Sequence, residues 1–253
     1  MNVSMRPLFA CWNEVAPRLA GSRLIALFLD FDGTLAPIRS HPELVCVPPS
    51  ARRTLAVLAR HPRFRVWVIS ARRRSDIHSR VRVPAVRYLG LYGWERAADA
   101  PPPPSPVLHV KAFLEGALPK HPALWIEDKE HTIAVHYRGA PDFIRRAAAE
   151  RVQRAVVPWG SRLRICPGKC LWEVLPAAIG DKGAAVRREL SLIPAHALPV
   201  YVGDDYSDEP AFAALRHGVP IHVGKRRSTR ARYRLDRAGQ VHDFLERLKT
   251  ELL

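Results

Sequence analysis

The sequence predicts an α/β protein: a doubly wound, mostly parallel Rossmann-like core with a smaller α/β cap inserted into it. Three observations carry this expectation. Apolar runs of strand length recur at residues 24–29, 64–69, 199–202 and 218–223, and the first three lead into polar groups. Stretches with helical spacing lie between them, the alternation of a doubly wound sheet. From about residue 104 to 175 that alternation gives way to closely spaced, hairpin-like strands.

Residues 24–29 (LIALFL) are continuously apolar, which predicts a strand buried on both faces, as inside a parallel sheet. The run ends at Asp30 and the turn-forming Asp32-Gly33-Thr34. Residues 51–60 predict a helix, with Leu55 and Leu58 inward and Arg52, Arg53 and Arg60 outward. A second strand at 64–69 (FRVWVI) ends at Ser70, and the polar residues 72–76 suit a helix start. Pro101 to Pro104, with Pro106 beyond, exclude helix and central strand and predict a stiff connection, either hinge or spacer. Beyond it the pattern predicts a helix near 110–118, strands at 124–126 and 132–137, a helix at 142–156, and strands at 163–165 and 171–174. The cap is therefore placed at 104–175, and the core at 1–103 and 176–253. The core pattern resumes with a helix from Lys182 to about Glu189, a strand at 199–202 ending on Gly203-Asp204-Asp205, a helix from Pro210, and a strand at 218–223. Ala231, Tyr233 and Leu235 alternate with arginines as in a strand with one buried face, and 241–248 reads as an amphipathic closing helix.

The chain has 253 residues, 47% apolar and 25% charged, enough for one large domain or two modest ones with a sizeable core. No apolar stretch is long enough to span a bilayer, and residues 1–12 lack the layout of a secretory signal, so a soluble cytoplasmic protein is expected. Cys11, Cys46, Cys166 and Cys170 form no C-x-x-C pair and complete no zinc pattern, which predicts free thiols in a reducing compartment. The formal charge of +16 admits nucleic-acid binding or a basic surface that steers an anionic substrate. The densest run, Lys225-Arg226-Arg227 followed by Arg230, Arg232, Arg234 and Arg237, lacks the interleaved aromatics of a stacking platform, which favours the second reading.

The chemistry gathers at strand ends. Asp30 and Asp32 stand at the tip of the first strand, where open α/β sheets bind ligands. Two carboxylates there repel unless a cation sits between them or one is protonated. Asp204, Asp205 and Asp208 form a second acidic group at another strand tip. This many hard oxygen donors suits Mg2+. Ser70 at a strand end and Lys182 at a helix start complete a set of four pieces that chance does not readily assemble.

That set resembles the haloacid-dehalogenase-type phosphatases and, within them, the trehalose-6-phosphate phosphatases. The resemblance runs through residues 28–38 (FLDFDGTLAPI), 68–72 (VISAR), 90–95 (GLYGWE), 127–129 (EDK), 136–138 (HYR), Gly168-Lys169 with Glu173, 181–183 (DKG) and 201–209 (YVGDDYSDE). The first and last segments are widespread in the superfamily, and those of the middle block belong to this branch. Ala71, Tyr92 and Leu175 depart from its usual residues, and the spacing from Glu173 to Lys182 is about one residue long.

The resemblance implies that Asp30 attacks phosphorus and becomes an aspartyl phosphate. It implies Mg2+ held by the side chains of Asp30 and Asp204 and the backbone carbonyl of Asp32, with Asp208 holding a water on the metal. The Asp32 carboxyl is then the general acid and base, Ser70 donates to a phosphate oxygen, and Lys182 supplies positive charge. Gly33, Arg72 and Asp205 contact substrate, and Glu127, Lys129, Arg138, Lys169 and Glu173 read sugar hydroxyls. His136 reads as a structural histidine, and Trp125, Trp159 and Trp172 as core residues with sugar stacking as the alternative. The implied substrate is a phosphorylated disaccharide, trehalose 6-phosphate, with no nucleic acid or membrane as partner and room for a separate trehalose-6-phosphate synthase alongside. Two rivals remain at this point: a related capped phosphatase acting on another sugar phosphate, and a nucleic-acid-binding protein on the same fold.

Overall fold

A computed structural model describes residues 5–39, 42–96, 106–225 and 228–253. The proline run and Arg226-Arg227 lie outside the described residues. The chain divides into two compact units. The larger takes Met1–Ala98, Asp181–Asp204 and Asp208–Leu253; the smaller takes Asp99–Gly180 and Asp205–Ser207.

The strands are β1 (Arg6–Pro7), β2 (Ile25–Asp30), β3 (Phe64–Ile69), β4 (Arg87–Leu89), β5 (Trp125–Asp128), β6 (Ile133–His136), β7 (Leu163–Gly168), β8 (Leu171–Pro176), β9 (Leu198–Gly203), β10 (Val219–Val223) and β11 (Tyr233–Leu235). The helices are α1 (Trp12–Ala20), α2 (Pro49–Arg60), α3 (Arg74–Val81), α4 (Val107–Ala117), α5 (Asp142–Val156), α6 (Lys182–Ser191), α7 (Glu209–Ala214) and α8 (Ala238–Leu252). No helix among the described residues is long and apolar enough to cross a membrane.

In the larger unit seven strands form one sheet in the order β1-β11-β10-β9-β2-β3-β4, and every neighbouring pair is parallel. The unbroken apolar run of β2 is explained by its central place. Ile25, Leu27 and Leu29 face a cluster completed by Val15 and Leu19 of α1, Leu55 and Leu58 of α2, Ile77 and Val81 of α3, and Val241 and Phe244 of α8. Ala26 and Phe28 face the opposite cluster, with Trp67, Val186 of α6 and Phe212 of α7. All six β2 residues are buried, and each large apolar side chain so placed contributes about 1.5–3 kcal/mol of burial. Phe28 pairs in register with Trp67, and their rings stack at 4.5 Å.

Three elements had no clear sequence signal. β1 has two residues, β4 is a three-residue edge strand, and α1 carries Pro17 inside it. β11 shows the expected alternation, with Tyr233 and Leu235 buried and Arg234 between them partly exposed.

In the smaller unit four strands pair antiparallel in the order β5-β6-β8-β7. One face packs Ile133, Val135 and Val174 against α4 and α5 through Val110, Leu114 and Val152. The alternate positions, Glu127, Ala134 and Glu173, are in register with one another and occupy the other face. Trp159 and Trp172 pack onto the core cluster as expected. Trp125 does not. It lies on the edge strand β5, 40% exposed, and stacks flat on His136 at 3.8 Å. The turn after β8 is tied back to β7, because the Arg164 guanidinium donates to the carbonyls of Ile179 and Gly180.

Candidate active site

The candidate site of the larger unit begins with Asp30, the last residue of the most buried strand. Its side chain is only 6% exposed. Lys182 opens α6, whose N-cap Asp181 accepts from the Ala184 N–H at 2.7 Å. That cap starts the helix where its first side chain, on a residue 2% exposed, meets the C-terminal end of central strand β2. The Lys182 Nζ donates to Asp30 Oδ1 at 2.6 Å and to Asp208 Oδ1 at 2.7 Å. The Tyr201 hydroxyl, from β9, donates to the same Asp208 oxygen at 2.7 Å. Asp204 follows the end of β9, and Asp30, Asp204 and Asp208 each bring a carboxylate oxygen within 4.8 Å of the others.

Three carboxylates close together, two of them on Lys182, concentrate negative charge in a largely dry place. Burial pushes the Asp30 carboxyl well above the usual range; Lys182 opposes this, and Asp208 and Asp204 add to it. For Lys182 burial works against the charge, but Asp208 and Asp30 outweigh it and hold the ammonium well above its ordinary range. Burial and the Asp208 charge push the Tyr201 phenol well up, so it stays a donor. The concentrated negative charge and the all-oxygen donor set fit a hard divalent cation. Gly33 has φ +83°, and a Cβ there would lie 2.3 Å from Asp204 Oδ2, so only glycine allows this turn to close on the acidic group.

Asp32 lies off this cluster. Its carboxylate takes a bidentate pair from Arg72, Nε to Oδ2 at 2.7 Å and Nη2 to Oδ1 at 2.8 Å. Ser70 follows β3, whose Ile69 is in register with Asp30; it is buried, and its Oγ accepts from the Arg72 N–H at 3.1 Å. The loop after β4 braces this turn. Tyr92 N–H donates to the Ser70 carbonyl and Leu91 N–H to the Arg72 carbonyl, both at 2.9 Å. Leu91 and Tyr92 hold left-handed φ values of +47° and +58°, a strained conformation for such residues. Buried Glu95 closes the loop by accepting from the Arg74 N–H, the first of α3, at 2.7 Å.

The smaller unit gathers its own polar group on the face away from its helices. Lys129 Nζ lies 3.4 Å from Glu173 Oε1, which also accepts from the Thr132 hydroxyl at 2.6 Å. Glu173 is 1% exposed. Glu127 meets His136 Nε2 at 2.8 Å and Lys129 at 4.0 Å. Arg138 reaches the Lys169 carbonyl at 3.4 Å. Asp205 belongs to this unit, its carboxylate beside Gly168. Sequence reasoning missed Tyr201, Asp76 and Glu95. The i, i+4 spacing of Arg72 and Asp76 was a readable signal, and Glu95 and Tyr201 lie inside the matching segments 90–95 and 201–209.

The fold is shared with solved phosphatases of the haloacid-dehalogenase superfamily. A phosphatase of that superfamily from Bacteroides thetaiotaomicron superposes with a TM-score of 0.58 at 17% identity, over 91% of this chain and 96% of that one. The C-terminal domain of Candida albicans trehalose-6-phosphate phosphatase superposes with a TM-score of 0.82 at 23% identity, over 99% of both chains. A family profile described as trehalose-phosphatase matches residues 28–238, and the chain belongs to that family. The trehalose-phosphate phosphatase of Mycobacterium tuberculosis is 35% identical over 251 residues, covering 91% of this chain. The chain spans 63% of that relative's length.

Proposed function

We propose that the chain hydrolyses trehalose 6-phosphate to trehalose and phosphate, through an aspartyl phosphate on Asp30 and with Mg2+ as cofactor. The observation that carries this reading is the ammonium of Lys182 bridging Asp30 and Asp208 beside Asp204, at strand ends of a chain of this family. Lys182 holds Oδ1 of Asp30 and so orients the carboxylate for attack on phosphorus. As the new P–O bond forms, the bond to the sugar oxygen breaks and the Asp32 carboxyl gives that oxygen its proton. Water then attacks the phosphorus of the intermediate and passes a proton to Asp32, which frees Asp30. Ser70 and Lys182 stabilise charge on the transferring group. Asp30, Asp204 and Asp208, with the Asp32 carbonyl, would hold the Mg2+, which supplies positive charge to the phosphoryl group.

The smaller unit is, in this reading, the cap. Its grouped Glu127, Lys129 and Glu173, with Arg138 and Lys169, read the sugar hydroxyls, and Gly33, Arg72 and Asp205 are further substrate contacts. Four cysteines outside any disulfide suit a reducing, cytoplasmic setting, where a separate synthase would supply the substrate. The deciding experiment is phosphate release from trehalose 6-phosphate with and without Mg2+, beside glucose 6-phosphate and sucrose 6-phosphate. Turnover of trehalose 6-phosphate that needs Mg2+ and exceeds the others is expected. Equal turnover of all three defeats the substrate assignment.

A further inference from the structure

The bidentate grip of Arg72 on Asp32 is one end of a longer chain of charges. The third nitrogen of the guanidinium, Nη1, donates to Asp76 Oδ2 at 2.8 Å. The other oxygen of Asp76, Oδ1, accepts from Arg80 Nε at 2.6 Å. Arg80 Nη1 in turn donates to the carbonyls of Glu43 and Val45 at 2.9 and 2.8 Å. Asp76 and Arg80 lie four residues apart on one side of α3, and Arg72 reaches Asp76 from the turn just before the helix. The series alternates carboxylate, guanidinium, carboxylate, guanidinium, and it ends on backbone. Arg72 is the best shielded member, its side chain 10% exposed, whereas the Asp32 side chain is 39% exposed. The ring of Phe31 lies under the guanidinium, 5.5 Å from its carbon.

The Asp32 carboxylate stands on a turn, 39% exposed, and the Arg72 fork holds its plane. Arg72 can fix that plane only while its own guanidinium is fixed. Two parallel hydrogen bonds to one carboxylate still allow the pair to swing as a unit, and a third anchor on the far side stops it. We infer that Asp76 is a positioning residue, which holds the Asp32 carboxyl in its working orientation by anchoring Arg72 from behind. The inference rests on the reading of Asp32 as general acid and base. It gives α3 a part in catalysis although Asp76 touches no substrate, and it gives Arg72 an orienting duty.

The test compares wild type with Asp76→Ala, Asp76→Asn, Asp76→Glu and Arg72→Lys on whichever phosphate ester wild type turns over best. Each kcat and KM is set beside the thermal midpoint of the same preparation. For Asp76→Ala, kcat is expected to fall on the order of tenfold, the loss a slightly misplaced group brings, with KM within about twofold of wild type. Asp76→Glu, which restores the charge, recovers most of the loss. Arg72→Lys, which keeps the charge but loses the fork, falls as Asp76→Ala does. If Asp76→Ala does not fold, the isosteric Asp76→Asn takes its place. Wild-type kcat in folded Asp76→Ala or Asp76→Asn overturns the inference. A raised KM at unchanged kcat also overturns it, because Arg72 then serves binding, and so does a kcat loss that only tracks the unfolded fraction. If wild type hydrolyses another ester but not trehalose 6-phosphate, the substrate assignment fails while this comparison still decides. If it hydrolyses none, both fail.

Discussion

Lys182 carries more of the site than any other side chain. Its ammonium bridges Asp30 and Asp208, and its hydrogen bonds keep two buried carboxylates paired. Breaking a buried pair by removing one partner leaves uncompensated charge. Lys182→Ala is therefore expected to lower unfolding free energy by about 3 kcal/mol, measured by urea denaturation, and to abolish phosphate release. Asp30→Asn is expected to behave differently. The upward push on the Asp30 carboxyl, despite Lys182, means that its charge costs folding energy where no metal ion offsets it. The neutral isostere should abolish turnover yet show a thermal midpoint at or above wild type in chelator. Retained turnover would remove Asp30 from the role of nucleophile. These charge roles were only partly readable from sequence. Asp30, Ser70 and Asp204 stood out because each follows an apolar run. Tyr201 did not, because a tyrosine inside such a run reads as core, and its hydroxyl finds Asp208 only in the folded site.

α6 shows how an element aims a residue. The Asp181 cap sets where the helix begins, and so where Lys182 points. Gly183 then lets α6 approach α7, since a Cβ at that position would sit 2.3 Å from the Pro210 carbonyl oxygen. Gly183→Ala is expected to cost about 1–3 kcal/mol, as overpacking does, and to lower kcat by moving the neighbouring lysine. A stable variant with full activity would show that the two helices can part without disturbing the site. The strands β2, β3, β9 and β10 were legible because buried parallel strands read as continuous apolar runs. β4 was not, with only Arg87, Tyr88 and Leu89 to show. Yet β4 delivers the loop whose strained Leu91 and Tyr92 brace Ser70 and Arg72.

For the whole molecule, two units divide the work in the proposed function. Side chains of the larger unit carry the chemistry, and those of the smaller read the sugar. Lys129→Ala should then raise KM for trehalose 6-phosphate about tenfold with kcat little changed, the reverse of the Asp30 and Asp76 variants. An unchanged KM would remove the Lys129 cluster from recognition. The charge of +16 belongs to this scale as well. A basic surface steers an anionic substrate through a field that salt screens. The value of kcat/KM is expected to fall as ionic strength rises, in a titration with sodium chloride at constant Mg2+, and a flat profile would deny the surface that role.

By itself the sequence determined the parallel core and the strand tips on which Asp30, Ser70 and Asp204 stand. Those signals are local: an apolar period, a turn dipeptide, a helix cap. Tertiary structure alone decided the pairings. Lys182 meets Asp30 across 152 positions of chain, and Arg72 meets Asp32 across 40. Such contacts follow from strand register and helix placement, which no local pattern encodes. The same folding removes water from Asp30 and Lys182, and that burial changes how tightly each holds its proton.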